Sequence, residues 1–209
     1  MGFYDRLVLP RLIDFAMKDK RAAERRAVLV PQAAGAVLEL GIGSGLNLSY
    51  YGPAVERVYG VDPSPELLAR ARARAQRLSL PVDLACRSAE ALPWPDESVD
   101  TVVTTWTLCS IPDARQALRE AKRMLRPEGR LLFVEHGLSP DARVEAWQRR
   151  LNPVWRRLAG GCNLDRRIDE LIRSAGFEIA QLETGYLSGP RPFTYTYQGL
   201  AVPLAARSA

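Results

Sequence analysis

Glu39, Gly41, Gly43 and Gly45 stand at alternate positions of one short segment, and Asp62 follows seventeen residues after the last glycine. Glycine permits positive φ and lets a ligand approach the main chain closely, so a glycine-rich turn after a strand is a natural seat for a cofactor. An acid at the end of the next strand can accept both hydroxyls of a ribose. Strand, glycine turn, helix and Asp62 together point to a nucleoside-bearing cofactor, whereas any one of these glycines alone could serve a structural turn. The chain's one histidine, His136, carries an imidazole whose ordinary pKa of about 6.5 suits a general base. It could equally hydrogen-bond a loop or shape a pocket. Cys109 and Cys162 are similarly open, between a chemical role and that of small buried hydrophobes.

The elements that must position these groups follow from hydrophobic pattern. Residues 36–40, 57–61, 82–86, 99–104 and 130–135 are short apolar runs, and the pattern predicts strands there. Helices are expected over 63–78, opened by Pro63 and Ser64, over about 113–126, ending before the stop signal at 126–129, and over 165–175. The stretch from the glycine turn to Tyr51 is also compatible with a helix. Alternating strands and helices argue for a mostly parallel sheet with helices on both faces. Residues 177–184 and 193–200 are two strand candidates without a helix between them, the second alternating Phe193, Tyr195 and Tyr197 with polar residues. Such a pair should be antiparallel, giving an α/β fold with a doubly wound, seven-stranded, mostly parallel sheet and one antiparallel strand in a C-terminal hairpin. His136 then falls directly after the fifth strand, at the edge where open α/β sheets bind ligands.

The leading residues 10–29 show near-helical apolar spacing through Leu12, Phe15, Ala16, Ala22 and Ala23, with Lys18, Arg21 and Arg25 on the polar face. Residues 1–30 are therefore expected to be a helical extension of a single domain spanning 1–209. The first thirty residues contain no uncharged apolar run of a signal peptide, and no stretch is apolar enough to span a membrane. The 209 residues are 47% hydrophobic and 25% charged, with 15 glycines and 15 prolines, which excludes collagen, low-complexity disorder and coiled coil. The net charge of +5 rests on 29 basic residues against 24 acidic ones, all but Lys18, Lys20 and Lys122 of the basic ones being arginine. The arginines alternate with acids along the chain and form no basic stripe with aromatics, so no nucleic-acid partner is expected. Three widely spaced cysteines without a CxxC suggest neither a disulfide framework nor a metal site, and fit a reducing cytoplasm.

The spacing GxGxG preceded by Glu39 selects among nucleosides. A carboxylate there would repel the pyrophosphate of a dinucleotide and suits a cofactor with a cationic amino group, such as S-adenosylmethionine (SAM). From residue 36 onward the sequence resembles the class I SAM-dependent methyltransferases, through segments 39–45, 61–64, 88–100 and 119–129. Segments 107–111, 135–136, 151–155 and 161–164 resemble the thiol S-methyltransferases of animal cells. Those relatives carry a hydrophobic N-terminal membrane anchor that has no counterpart in these residues.

The resemblance implies that Glu39 and the glycine turn line the methionine part, that Asp62 holds the ribose, and that Pro63 packs on the adenine. It puts Ser88, Ala89 and Glu90 at the adenine, Ser88 standing where many members have an acid, and has Thr105 offer its main chain to the methionyl group. The reaction implied is transfer of the methyl group to a small, largely apolar acceptor, a thiol being favoured, with S-adenosylhomocysteine as product and no metal. Methylation of N, O or C on a lipid or quinone-like acceptor is the alternative. A SAM-binding protein without catalysis and a nicotinamide-dependent oxidoreductase are readings from other classes.

Residues 139–164 form the one insertion. Within 144–158, Val144, Trp147, Leu151, Val154, Trp155 and Leu158 lie near helical spacing among arginines, and Pro153 should divide the segment into two helices. The segment is expected to cap the substrate pocket with Trp147, Trp155, Cys162 and Asn163 beside Cys109. Packing on the sheet and peripheral contact with a membrane surface are the competing readings. The oligomeric state is not legible in the sequence.

Overall fold

The structure, a computed structural model, describes residues 9–204; residues 1–8 of the expected N-terminal extension lie outside them. Seven strands, β1 (Gly35–Leu40), β2 (Val55–Val61), β3 (Val82–Ala85), β4 (Val99–Thr105), β5 (Leu125–His136), β6 (Phe177–Tyr186) and β7 (Tyr195–Pro203), form one sheet in the order β3-β2-β1-β4-β5-β7-β6. The neighbours among β1 to β5 pair in parallel, and β7 runs antiparallel to both β5 and β6. This is the expected seven-stranded sheet with its C-terminal hairpin.

Because successive side chains of a strand point to opposite faces, Leu38, Val102 and Phe133 enter one core while Val37, Val103 and Leu132 enter the other. Helices α4 (Ala114–Met124) and α6 (Ile168–Ser174) close the first face through Leu118, Met124 and Ile172. Helices α2 (Lys20–Leu29) and α3 (Pro65–Ala75) close the second through Leu29 and Leu68. Strand order reverses between β1 and β4, so the crevice beyond their C-terminal ends is where such a sheet takes a ligand. The ends of β1, β2, β4 and β5 bring Glu39, Asp62, Thr105 and His136 to that edge.

Several local expectations are corrected. The leading segment is two helices, α1 (Leu9–Ala16) and α2, because Asp19 caps the second by accepting from the Arg21 amide at 2.9 Å. After the glycine turn the chain to Tyr50 is a run of turns, not a helix, carrying i to i−3 bonds such as Leu48 N to Gly45 O. Strand β5 begins at Leu125, before the expected stop, with a register shift that absorbs residues between the pairs Val99–Leu125 and Thr101–Arg130. Phe193 lies in a single 3₁₀ turn, Arg191–Phe193, ahead of β7.

Pro153 does not divide the insertion. Helix α5 (Ala142–Leu158) runs through it, with tertiary bonds holding the two turns that lead into the proline. Upstream, Gln148 Nε2 donates to the Gly137 carbonyl at 3.0 Å. Next to the proline, Asn152 donates to Asp165 at 2.7 Å and accepts from the Leu164 amide at 2.9 Å. No helix among the described residues is long and apolar enough to cross a membrane.

Candidate functional site

The glycine turn holds three left-handed residues, Gly41, Gly43 and Gly45, at φ of 63°, 55° and 78°. Their surroundings differ in kind. A Cβ on Gly41 would lie 2.3 Å from Thr107 Cγ2, and one on Gly45 would lie 2.8 Å from Leu48 Cδ1, so both are fixed by packing. A Cβ on Gly43 would meet only the Gly41 carbonyl, at 3.9 Å; it faces the crevice, and Gly43 is the one of the three whose bareness leaves room for a ligand. Asp62, buried at the end of β2, accepts from the Gly43 amide at 3.0 Å and the Ser64 amide at 2.8 Å. Burial raises its pKa, opposed by these two amides. Each oxygen keeps a further lone pair for a hydroxyl.

Glu39 lines the crevice next to the turn and is buried. Asn47 Nδ2 donates to its Oε1 at 2.9 Å and the Tyr51 hydroxyl to its Oε2 at 2.7 Å. Burial pushes its pKa up to about 7, against the Tyr51 bond and the charge of Arg26. Arg26, itself buried, donates to Asn47 Oδ1 at 3.0 Å and to the Met17 carbonyl at 2.7 Å, and its guanidinium lies 4.9 Å from the Trp106 ring centroid. Thr105 Oγ1 joins the same group by accepting from Asn47 Nδ2 at 3.1 Å. Trp106, just past β4, holds a φ of 52°, a strained conformation for a bulky residue that clusters at ligand sites and costs roughly 1–3 kcal/mol.

Helix α1 closes over the turn. Asp14 takes a hydrogen bond from the Ser44 hydroxyl and forms ion pairs with Lys18 and Arg70, both at 2.8 Å. Burial by itself would raise its pKa, yet the bonds from Lys18 and Ser44 win and lower it to about 2.

At the adenine end expected from the resemblance, Pro63, Ser88 and Ala89 line the crevice. Glu90 does not; it turns away, accepting from the Asp113 amide at 2.6 Å and from the Ser88 hydroxyl at 2.8 Å. Gly45 is likewise behind the wall, against α3.

The crevice continues past Thr105 into a second chamber, the whole enclosing about 660 Å³. His136, Cys109, Trp155, Cys162 and Phe193 line that chamber. Trp155 and Phe193 pack with ring centroids 4.7 Å apart and planes tilted by 43°. Two buried atoms of its wall, His136 Nε2 and Trp155 Nε1, have no hydrogen-bond partner among the described residues, a condition that a polar ligand atom would relieve. Glu135, wholly buried, accepts from Thr104 Oγ1 at 2.7 Å and the Thr107 amide at 3.0 Å, and burial pushes its pKa up to about 7. Two of the expected pocket residues stand elsewhere. Trp147 is 55% exposed on the outer side of α5, and Asn163 lies behind the wall, where its side chain donates to the Cys109 and Gly161 carbonyls.

The sequence reading missed Asp14, Arg26, Asn47, Tyr51, Glu135 and Phe193. Asn47 and Tyr51 fall inside the segment just after the glycine turn, where polar residues aimed back at Glu39 were available as a signal. Arg26 lies in a tract rich in arginine and carries no local mark.

A sequence profile described as a methyltransferase domain matches residues 38–133. Thiol S-methyltransferase TMT1B of Rattus norvegicus is 36% identical over 151 residues, covering 70% of this chain and 62% of that protein. Thiol S-methyltransferase TMT1A of Homo sapiens is 32% identical over 177 residues, covering 80% of this chain and 71% of that protein. The match thus spans less than two thirds of the rat protein and somewhat more of the human one. Among solved structures, a SAM-dependent methyltransferase from Methanosarcina mazei superposes with a TM-score of 0.68 at 20% identity, covering 85% of this chain and 96% of that one, which bears on the fold. With its sheet, its glycine turn and relatives of this kind, the chain belongs to the SAM-dependent methyltransferases and is similar to the thiol S-methyltransferases of animal cells.

Proposed function

We propose that the chain transfers the methyl group of SAM to a small, largely apolar thiol, yielding a methyl thioether and S-adenosylhomocysteine. One observation carries this reading: the crevice at Gly43 and Asp62 is continuous with an aromatic-walled chamber in which His136 Nε2 is buried without a partner among the described residues. Gly43 leaves open space where the cofactor must pass, and Asp62 has lone pairs to spare for ribose hydroxyls, so the residues present fit SAM. In this reading Glu39 lines the cationic methionine part together with the glycine turn, Thr105 offers main chain to it, and Pro63, Ser88 and Ala89 contact the adenine. Bound SAM supplies a methyl group already activated on a sulfonium.

The chain's own task is then alignment in a dry chamber, an effect that can contribute roughly 7–11 kcal/mol. His136 Nε2 accepts the proton of the acceptor thiol. A free cysteine-like thiol, with a pKa of about 8.5, is only a few per cent thiolate at neutral pH, so removal of that proton is worth catalysing. Residues 139–164 serve as the cap of a domain built on this sheet, with Trp155 and Phe193 holding the apolar part of the acceptor. Three free cysteines suit a reducing cytoplasm.

An acceptor screen with methyl-labelled SAM tests the assignment, offering alkyl and aryl thiols, amines, phenols and quinols side by side. Label should enter the thiols. Label in an amine or a quinol with none in any thiol would overturn the thiol assignment.

A further inference from the structure

The chamber holds a group of nucleophiles that methyl transfer leaves unused. Cys109 lies in the turn after β4, and Cys162 in the loop after α5. Their Sγ atoms are 3.6 Å apart, and Cys162 Sγ is 3.9 Å from His136 Nδ1. The main chain fixes the two segments against each other. The Asn163 amide and the Asn163 side chain both donate to the Cys109 carbonyl at 2.8 Å. Gly161 lies so close to Ser110 that a Cβ on it would come within 3.2 Å of the Ser110 carbonyl.

A disulfide needs its sulfurs about 2.05 Å apart, so the observed 3.6 Å closes by a shift of about 1.5 Å, within reach of small side-chain rotations. The two thiols are unequal. Cys109 is 3% exposed, whereas Cys162 is partly open, so an incoming reagent meets Cys162 first. Contact with Cys109 and with the His136 imidazole pulls the Cys162 thiol below its ordinary range, while the same contact and burial push the Cys109 thiol up. A thiolate in front and a protonated thiol behind is the arrangement of an attacking and a resolving cysteine.

We propose that Cys162 and Cys109 form a thiol–disulfide exchange site that reduces a small, apolar organic disulfide, Cys162 attacking and Cys109 resolving. In the first step the Cys162 thiolate bonds to one sulfur of R–S–S–R, the S–S bond breaks, and R–S⁻ leaves with the electron pair and takes a proton. In the second, Cys109 gives up its proton and attacks Cys162 Sγ in the mixed disulfide, expelling the second R–S⁻, which is protonated in turn. The organic disulfide is reduced to two thiols and the cysteine pair is oxidised to one disulfide. The exchange consumes no SAM, so its failure and a failure of thiol methylation are read in separate assays.

The reduced chain carrying Cys86→Ser, which removes the exposed third thiol, is mixed with one equivalent of dithiodipyridine without SAM. Released pyridinethione is followed by absorbance and the cysteines are mapped by peptide mass. Two pyridinethiones per chain and a Cys109–Cys162 cross-link are expected. With Cys109→Ser added, one pyridinethione should appear and the pyridylthio adduct should stay on Cys162; with Cys162→Ser instead, the release should slow at least about tenfold. An adduct that persists on Cys162 while Cys109 is intact, or an unchanged rate without Cys162, would overturn the proposal. Where the serine variants fold poorly, peptide mapping of the chain with Cys86 retained still distinguishes the expected Cys109–Cys162 cross-link from a persistent Cys162 adduct.

Discussion

The Gly43 amide donates to Asp62 Oδ2 at 3.0 Å, tying the turn after β1 to the end of β2. The bond orients a carboxylate that the Ser64 amide holds from the other side. Hydrogen bonds to a charged group are worth about 1.5–3 kcal/mol each. Asp62→Ala should therefore weaken SAM binding by roughly 10- to 100-fold, as titration calorimetry would read. Unchanged affinity would remove Asp62 from the ribose site.

Gly41 and Gly43 separate packing from ligand space. Alanine at either pays for a left-handed conformation, about 1–2 kcal/mol. Gly41→Ala additionally drives its Cβ onto the Thr107 side chain, 2.3 Å away, and should cost clearly more stability. Gly43→Ala should leave thermal unfolding within a few degrees of the parent and abolish most SAM affinity, because its Cβ enters the crevice. If Gly43→Ala bound SAM as the parent does, the cofactor would lie elsewhere.

The glycine turn and the placing of Asp62 beside it were legible because their constraint is local: a chain reversal after a strand demands left-handed residues, and the end of the next parallel strand lies next to that reversal. The sheet was legible for a similar reason, since buried parallel strands must be short apolar runs. What stayed hidden depends on contacts between distant residues. Asp14 meets Ser44 and Arg70 only after α1 folds over the turn, and Pro153 is overruled by Asn152 bonding Asp165 and Leu164. Trp147 and Trp155 both looked like pocket residues, yet eight residues on an α-helix turn a side chain by about 80°. That rotation is enough to send one tryptophan outward and the other onto Phe193.

Glu39 should make the proposed cofactor site sensitive to pH. Its pKa is about 7 in the fold against 4.5 for an unperturbed glutamate, so the fold favours the protonated form. Its contribution to stability is complete below about pH 4.5 and is lost as the pH rises toward 7, a change on the order of 3 kcal/mol. Glu39→Gln, in which the Tyr51 hydroxyl can turn to accept, should flatten that part of the stability curve. The cation of SAM favours ionised Glu39, so binding should release a proton between about pH 5 and 7 and tighten with rising pH. Calorimetry in buffers of different ionisation enthalpy measures the release; none in the parent, or an equal release in Glu39→Gln, would refute the coupling.

The proposed role of Trp155 is toward the acceptor. It lines the chamber and packs against Phe193, and among the described residues no hydrogen bond joins it to Gly43 or Asp62. Trp155→Ala should raise KM for an aryl thiol about tenfold, in keeping with an aromatic contact of roughly 0.5–1.5 kcal/mol, while SAM affinity stays put. Equal losses toward both substrates would mean that Trp155 supports the fold instead of the acceptor.

His136 is the last group to weigh, and its test is a pH profile. Removing a general base typically costs 10²- to 10⁴-fold, roughly, in the step it assists. His136→Asn should show that loss near pH 7, where a thiol of pKa about 8.5 is almost wholly protonated. The deficit should shrink above pH 9, where the acceptor arrives as thiolate and no base is needed. A deficit that is constant from pH 6 to 10 would assign His136 to shaping the chamber, and rates equal to the parent at every pH would leave it no part in the reaction. The same variant should bind SAM normally, because, among the described residues, no hydrogen bond joins His136 to Glu39, Gly43 or Asp62.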